Sequence, residues 1–313
     1  MARAAGYTRG VMARFADRLC EAIAKRGAPC AVGLDPVLEY VPDAFLRECG
    51  LSRAGDLEER ARILEAYSLM TLEAVHDLVP VVKPQMAYFE LYGSHGMRAL
   101  ERCIETARAM GLLVLLDGKR GDIGSTSRAY AEAYLASTPA RPWEADALTL
   151  NPYLGEDSLA PFVEVALAND KGLFVCVRTS NPGADLTQLH EDRERRALYE
   201  VVADMVSSFN AQQVGRHGFG SVGAVVGATQ PDAARRLRAR MPSALFLVPG
   251  YGAQGGSLEA VRACFDARGM GALVNSARAV MYPGRFGTSH EGAAKDAIRG
   301  AARDFVGAIR NAL

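Results

Sequence analysis

Eight short apolar segments alternate with stretches of helical periodicity along this chain, and that alternation limits the fold more than any other feature. The apolar segments are Cys30–Asp35, Leu78–Lys83, Leu112–Asp117, Ala147–Asn151, Leu173–Val177, Val222–Gly227, Leu245–Pro249 and Ala272–Asn275. Between them, segments such as Leu57–His76, Gly96–Met110, Ser158–Asn169, Arg195–Phe209, Pro231–Met241 and Leu258–Asp266 place apolar residues at helical spacing. Eight strands alternating with helices in 313 residues predict an α/β fold, a closed (β/α)8 TIM barrel. One domain is expected over residues 1–313, with an N-terminal helical extension carrying Phe15, Leu19 and Ile23 on one face. A doubly wound open sheet is the competing architecture, but no GxGxxG opens a helix after the first strand.

Barrels of this kind carry their chemistry at the carboxyl ends of the strands. The third strand runs into LLVLLDGKRGDIG, where five apolar residues lead directly to Asp117, Lys119 and Asp122. Alternate strand residues share a face, so a strand continuing through Lys119 puts Asp117 and Lys119 together, with Asp122 following on the loop. Two carboxylates and an ammonium are thus expected in one cluster. At ~4 Å and an effective dielectric of ~20, each opposite-charge pair gains roughly 4 kcal/mol before desolvation is subtracted. A lysine pinned in this way is a proton donor suited to meet a carbanion.

Other strand ends carry Asp35 in VGLDP, Lys83 in VVKPQ, Asn151 in LTLNPY, Thr179 and Ser180 in VRTSNPG, and Thr229 in GATQP. Turn chemistry alone accounts for any one of these residues, but together they line one rim. After the seventh strand comes Pro249-Gly250-Tyr251-Gly252-Ala253-Gln254-Gly255-Gly256, and after the eighth comes Arg278. Glycines let peptide N–H groups approach an anion, and arginine's planar fork suits a phosphate. The loops after strands seven and eight are where barrels often hold one.

Composition narrows the function classes. With 36 basic and 36 acidic residues the net charge is zero, which argues against a broad nucleic-acid or acidic-membrane surface. The six cysteines show no CxxC or Cys/His spacing, and the five histidines no metal-ligand spacing, so reduced thiols and no metal site are expected. No stretch approaches ~18 unbroken apolar residues, and the N-terminus lacks a signal-peptide core, so a soluble cytoplasmic protein is expected. The charge-rich segments Ser52–Glu59 and Gly183–Arg196 read as solvated insertions with no function of their own.

GLDP around Asp35, the strand-end Lys83, the DGKRGDIG block, SNPGA from Ser180, PGYGAQGG and the later Arg278 together make the chain resemble the longer bacterial branch of the orotidine 5'-monophosphate decarboxylases. The resemblance spans roughly Ala31 to Pro283. It implies a TIM barrel, usually a homodimer, that converts orotidine 5'-monophosphate to uridine 5'-monophosphate without metal or organic cofactor. It further implies that Lys119 protonates C6 as carbon dioxide leaves, and that Asp117 lies beside the substrate carboxylate. Lys83 and Asp35 would hold ribose hydroxyls, and Asp122 and Thr126 would reach the neighbouring subunit's ribose. Ser180 would contact the pyrimidine, and Tyr251, Gln254 with the adjoining Gly255, and Arg278 the phosphate. Asn151 joins the substrate side of the rim as a strand-end residue.

Two rivals share parts of this pattern. A magnesium-dependent sugar-phosphate decarboxylase has the same DxKxxD, but normally carries a carboxylate where this chain has Lys83, and an ammonium there repels Mg²⁺. A catalytically idle nucleotide-binding barrel is the other, since fold does not fix function.

Overall fold

The computed structural model describes residues 14–138, 143–251, 256–286 and 293–313. Eight parallel strands close into a barrel in sequence order: β1 (Cys30–Leu34), β2 (Val81–Pro84), β3 (Leu113–Arg120), β4 (Ala147–Leu150), β5 (Gly172–Arg178), β6 (Val222–Val226), β7 (Phe246–Val248) and β8 (Ala272–Ser276). β8 pairs with β1 through Cys30 and Val274, completing the ring. The TIM barrel and all eight expected strands are therefore present, with ends that differ by up to three residues. Helices also form at Gly124–Leu135 and Ala294–Ala312.

Strand alternation divides the core into two layers. Val32, Leu34, Val82, Val114, Leu116, Leu148 and Val175 point outward and are buried under the helices. Ala31, Val81, Leu115, Ala147, Phe174, Leu245 and Leu273 point inward and fill the lower barrel.

The helix Phe15–Arg26 closes the amino-terminal end of the barrel. Its Phe15 and Leu19 join the interior cluster, and the Phe15 ring meets Phe174 edge-on with centroids 6.2 Å apart. Burying one such phenyl ring contributes on the order of 2 kcal/mol. The ring lies so close to β5 that a Cβ on Gly172 would come within 2.1 Å of it, so no larger residue fits there. Arg18 then ties this helix to β4's entrance by donating to Asp146 at 2.8 Å. With the bottom filled by the described residues, the interior opens at the carboxyl ends of the strands.

Candidate active site

The inward residues one step above the packed layer form the floor of a cavity of about 620 Å³. On β2, β3 and β4 they are Lys83, Asp117 and Thr149; on β5, β6 and β7 they are Cys176, Val225 and Leu247. The β2–β4 half of this floor is polar, with two charged groups and a hydroxyl, and the β5–β7 half is largely apolar, which suits a planar ring carrying an anionic group on one edge.

Asp117 is the centre of the polar half. It is 6 % exposed and accepts from four donors: Lys83 Nζ at 2.8 Å, Gln85 Nε2 at 3.1 Å, Lys119 Nζ at 2.6 Å and Thr149 Oγ1 at 2.9 Å. Burial pushes its carboxyl up, but the Lys83 and Lys119 ammonium groups outweigh burial and hold it well below the usual carboxylate range. Lys83, 4 % exposed, shows the complementary balance. Burial disfavours its charge, while Asp117 and Asp35 more than restore it and raise it above the ordinary lysine value.

Lys119, which also lines the cavity, differs from Lys83 in access, because 49 % of its side chain remains exposed. Its backbone has φ +44°, a left-handed conformation that costs on the order of 1 kcal/mol outside glycine. The β3–β4 register slips between Leu116 and Arg120, and such a bulge re-aims a side chain at a sheet's rim. Thr149 supports the turn: its hydroxyl accepts from the Lys119 backbone N–H at 2.9 Å and donates onward to Asp117.

Asp35, Lys83, Asp117, Lys119, Asn151, Ser180, Tyr251 and Arg278 line this one cavity, as the sequence pattern anticipates. Asp122 and Thr126 do not. Asp122 lies past the left-handed turn and accepts from the Ile123 N–H at 2.7 Å, and Thr126 is exposed on the helix Gly124–Leu135. The expected cluster of two carboxylates with Lys119 is thus corrected: within one chain the second carboxylate lining the cavity is Asp35, which acts on Lys83, and Asp122 is not among the lining residues. Gln254 and Gly255 lie outside the described residues. Asn151 lines the cavity while its Oδ1 accepts from the Tyr153 N–H at 3.1 Å.

Several lining residues escaped the reading of strand ends. Thr149 and Gln85 hold Asp117, and strand period alone would have found Thr149, two residues before Asn151. Asn275, on β8, is buried, and its Oδ1 has no partner among the described residues. The segment Gly183–Arg196 is not merely a solvated insertion, since Thr187 and Gln188 form part of the cavity wall.

Asp35 carries an enclosed Oδ1 with no partner among the described residues. Burial raises its carboxyl above the usual value; Asp117 adds to this, and Lys83, Arg278 and Lys119 oppose it. A raised folded-state value favours the protonated form, so stability from Asp35 is present at low pH and lost as pH rises through that value. Asp35→Asn is therefore expected to melt at a higher temperature than wild type at about pH 7.5, the gain shrinking as pH falls towards the usual carboxylate range. Thermal unfolding of both proteins across pH checks this, and a gain that does not change with pH would count against a cost of ionisation.

The sequence matches, over residues 54–281, the profile described as "Orotidine 5'-phosphate decarboxylase / HUMPS family". Orotidine 5'-phosphate decarboxylase of Rhodopirellula baltica is 46 % identical over 273 residues, covering 87 % of this chain and 89 % of that protein. The Deinococcus radiodurans protein of the same name is 39 % identical over 301 residues, 96 % of each chain. Among solved structures, a putative orotidine 5'-phosphate decarboxylase from Streptomyces avermitilis superposes with a TM-score of 0.78 at 37 % identity, covering 98 % of this chain and 99 % of that one. OMP decarboxylase of Leishmania donovani superposes at 0.72 with 33 % identity, over 96 % of this chain and 100 % of that one.

Proposed function

This chain belongs to the orotidine 5'-phosphate decarboxylase family, a carbon–carbon lyase of pyrimidine synthesis, and from that premise we propose that Lys119 is the acid of the reaction. The observation that carries the reading is a half-exposed ammonium, 2.6 Å from a carboxylate that four donors immobilise, at the edge of the cavity. The C6–carboxylate bond of orotidine 5'-monophosphate breaks, carbon dioxide leaves, and the electron pair stays on C6. That pair has little delocalisation in the ring, so a cation already in place lowers the barrier most. Lys119 then passes its proton to C6, giving uridine 5'-monophosphate, and is reprotonated from solvent through the open mouth.

Asp117 orients Lys119 and lies beside the departing carboxylate, while Lys83 and Asp35 take ribose hydroxyls. Lys83, buried on Asp117, also fills the place where a magnesium-dependent relative would need a negative ligand. Ser180 contacts the pyrimidine, Asn151 closes the substrate side of the rim, and Tyr251 and Arg278 hold the phosphate with Gln254 and Gly255 of the following loop.

Phosphate contacts are remote from C6, so they act mainly through binding. Arg278→Ala is expected to raise KM roughly tenfold or more with a smaller change in kcat. Steady-state kinetics checks it, and unchanged KM would assign the phosphate to another group.

The enzyme works as a homodimer in the cytoplasm. Ile123, 60 % exposed, and Tyr153, 80 % exposed, stand beside Asp122 and Asn151 on neighbouring loops, an apolar surface suited to a second copy. All six cysteines are free, as a reducing compartment requires. No helix among the described residues is long and apolar enough to cross a membrane.

A further inference from the structure

The cavity wall beyond β5 contains a carboxamide whose orientation its neighbours dictate. Gln188, the last residue of the short helix Ala184–Gln188, lines the cavity together with Thr179 and Ser180. Its Oε1 accepts twice, from Arg178 Nη1 at 3.0 Å and from the Thr179 backbone N–H at 3.0 Å. Guanidinium and peptide N–H groups only donate, so turning the amide end for end would set its NH₂ against two donors. Nε2 gives one N–H to Thr179 Oγ1 at 2.7 Å, and an amide nitrogen has a second.

The anchor of this arrangement is deeply buried. Arg178, 2 % exposed at the end of β5, also donates to Gln230 Oε1 at 2.8 Å and to Asp185, and its carbonyl accepts from the Gly227 N–H at 2.8 Å. A Cβ on Gly227 would lie 2.9 Å from the Ser180 Cβ, so the loop after β6 backs directly onto this wall. The remaining N–H of Gln188 is thus held on a rigid support.

We propose that Gln188 is a specificity-determining residue that selects a carbonyl oxygen, rather than an amino group, at C4 of the pyrimidine. The assignment rests on the functional reading above. In a closed eight-stranded barrel β5 stands opposite β1, and Asp35 and Lys83 at β1 and β2 hold the ribose. N1 of the base joins the ribose and C4 lies directly across the ring from N1. With C6 over Lys119 on β3, the N1–C4 axis crosses the cavity and the C4 substituent meets the β5 wall. Uracil presents an oxygen there, which accepts the N–H of Gln188. Cytosine presents an NH₂, so donor faces donor. A buried donor left unmatched lowers affinity roughly ten- to a hundredfold.

Equilibrium binding of uridine and cytidine 5'-monophosphates to wild type, Gln188→Glu and Gln188→Met, with orotidine 5'-monophosphate turnover measured in parallel, tests this. Gln188→Glu keeps both acceptor bonds to Arg178 and Thr179 but has no N–H; Gln188→Met removes the polar group without adding charge. Wild type should prefer the uridine nucleotide by roughly tenfold or more, and both variants should reduce that ratio by about tenfold. A purely structural role would lower affinity for both nucleotides alike and leave the ratio unmoved. An unmoved ratio in both variants, in a protein that turns over the substrate, overturns the assignment of Gln188. A wild type that neither turns over the substrate nor binds the uridine nucleotide overturns the functional reading, and this assignment with it.

Discussion

Lys119→Ala is expected to lower kcat for decarboxylation by at least about a thousandfold while changing the affinity for uridine 5'-monophosphate by roughly threefold or less. The asymmetry follows from where the ammonium acts. Negative charge reaches C6 only as the carboxylate leaves, so the cation's main contribution belongs to the transition state and not to a bound product that lacks the charge. The substitution leaves Asp117 with Lys83, Gln85 and Thr149 as donors, so the site should keep its shape. Loss of absorbance as substrate is consumed, together with product binding, checks both halves. Wild-type turnover would remove the lysine from the mechanism, and an equal loss of product binding would make it a binding residue.

The proposed mechanism gives the two lysines different tasks. Lys83 is almost fully buried and keeps Asp117 ionised and fixed, a task that needs no access to the reacting carbon. Lys119 is half exposed, as the proposed acid must be to meet it. Lys119 stands two residues beyond Asp117, nearer the carboxyl end of β3, with its left-handed backbone in the stretch where the β3–β4 register shifts. The conformational cost is offset by the Thr149 hydroxyl, which bonds both the Lys119 backbone and the Asp117 carboxylate.

How much of this was legible in the chain depended on the range of the interaction. Eight strands could be read because each buries a continuous apolar run, and the barrel followed from their number and alternation. The helix Gly124–Leu135 gave no such signal, since GSTSRAYAEAYL is rich in small and hydroxylated residues and only weakly amphipathic. Lys83, Asp117 and Lys119 stand at strand ends and were found there, but Thr149 and Gln188 were not. Threonine inside an apolar strand reads as a β-former, and Gln188 sits in a segment whose charge suggests solvent. Thr149 acts through partners 30 and 32 positions away, Lys119 and Asp117, while Gln188 acts through Arg178 and Thr179, ten and nine positions back and on a different element. Asp122 does not line the cavity that Asp117 and Lys119 share, so closeness in DGKRGD did not carry over to this chain's own cavity.

Asp122 is not among the residues that line its own chain's cavity, and mixing two inactive proteins tests which subunit's site it serves. If Asp122 completes the site of the other subunit, Asp122→Ala and Lys119→Ala homodimers are each nearly inactive, the first through its partner's site and the second through its own. A hybrid dimer then has one site lacking both groups and one site lacking neither. Random exchange of equal amounts makes half the dimers hybrids, so about a quarter of all sites, and about a quarter of wild-type activity, should return. Activity measured after subunit exchange, with exchange itself followed by mass, checks the number. Were Asp122 to serve its own chain, every site in the mixture would lack one of the two groups and no activity would return. The exposed Ile123 and Tyr153 beside it give a companion result, because charged substitutions there should weaken dimerisation and turnover together.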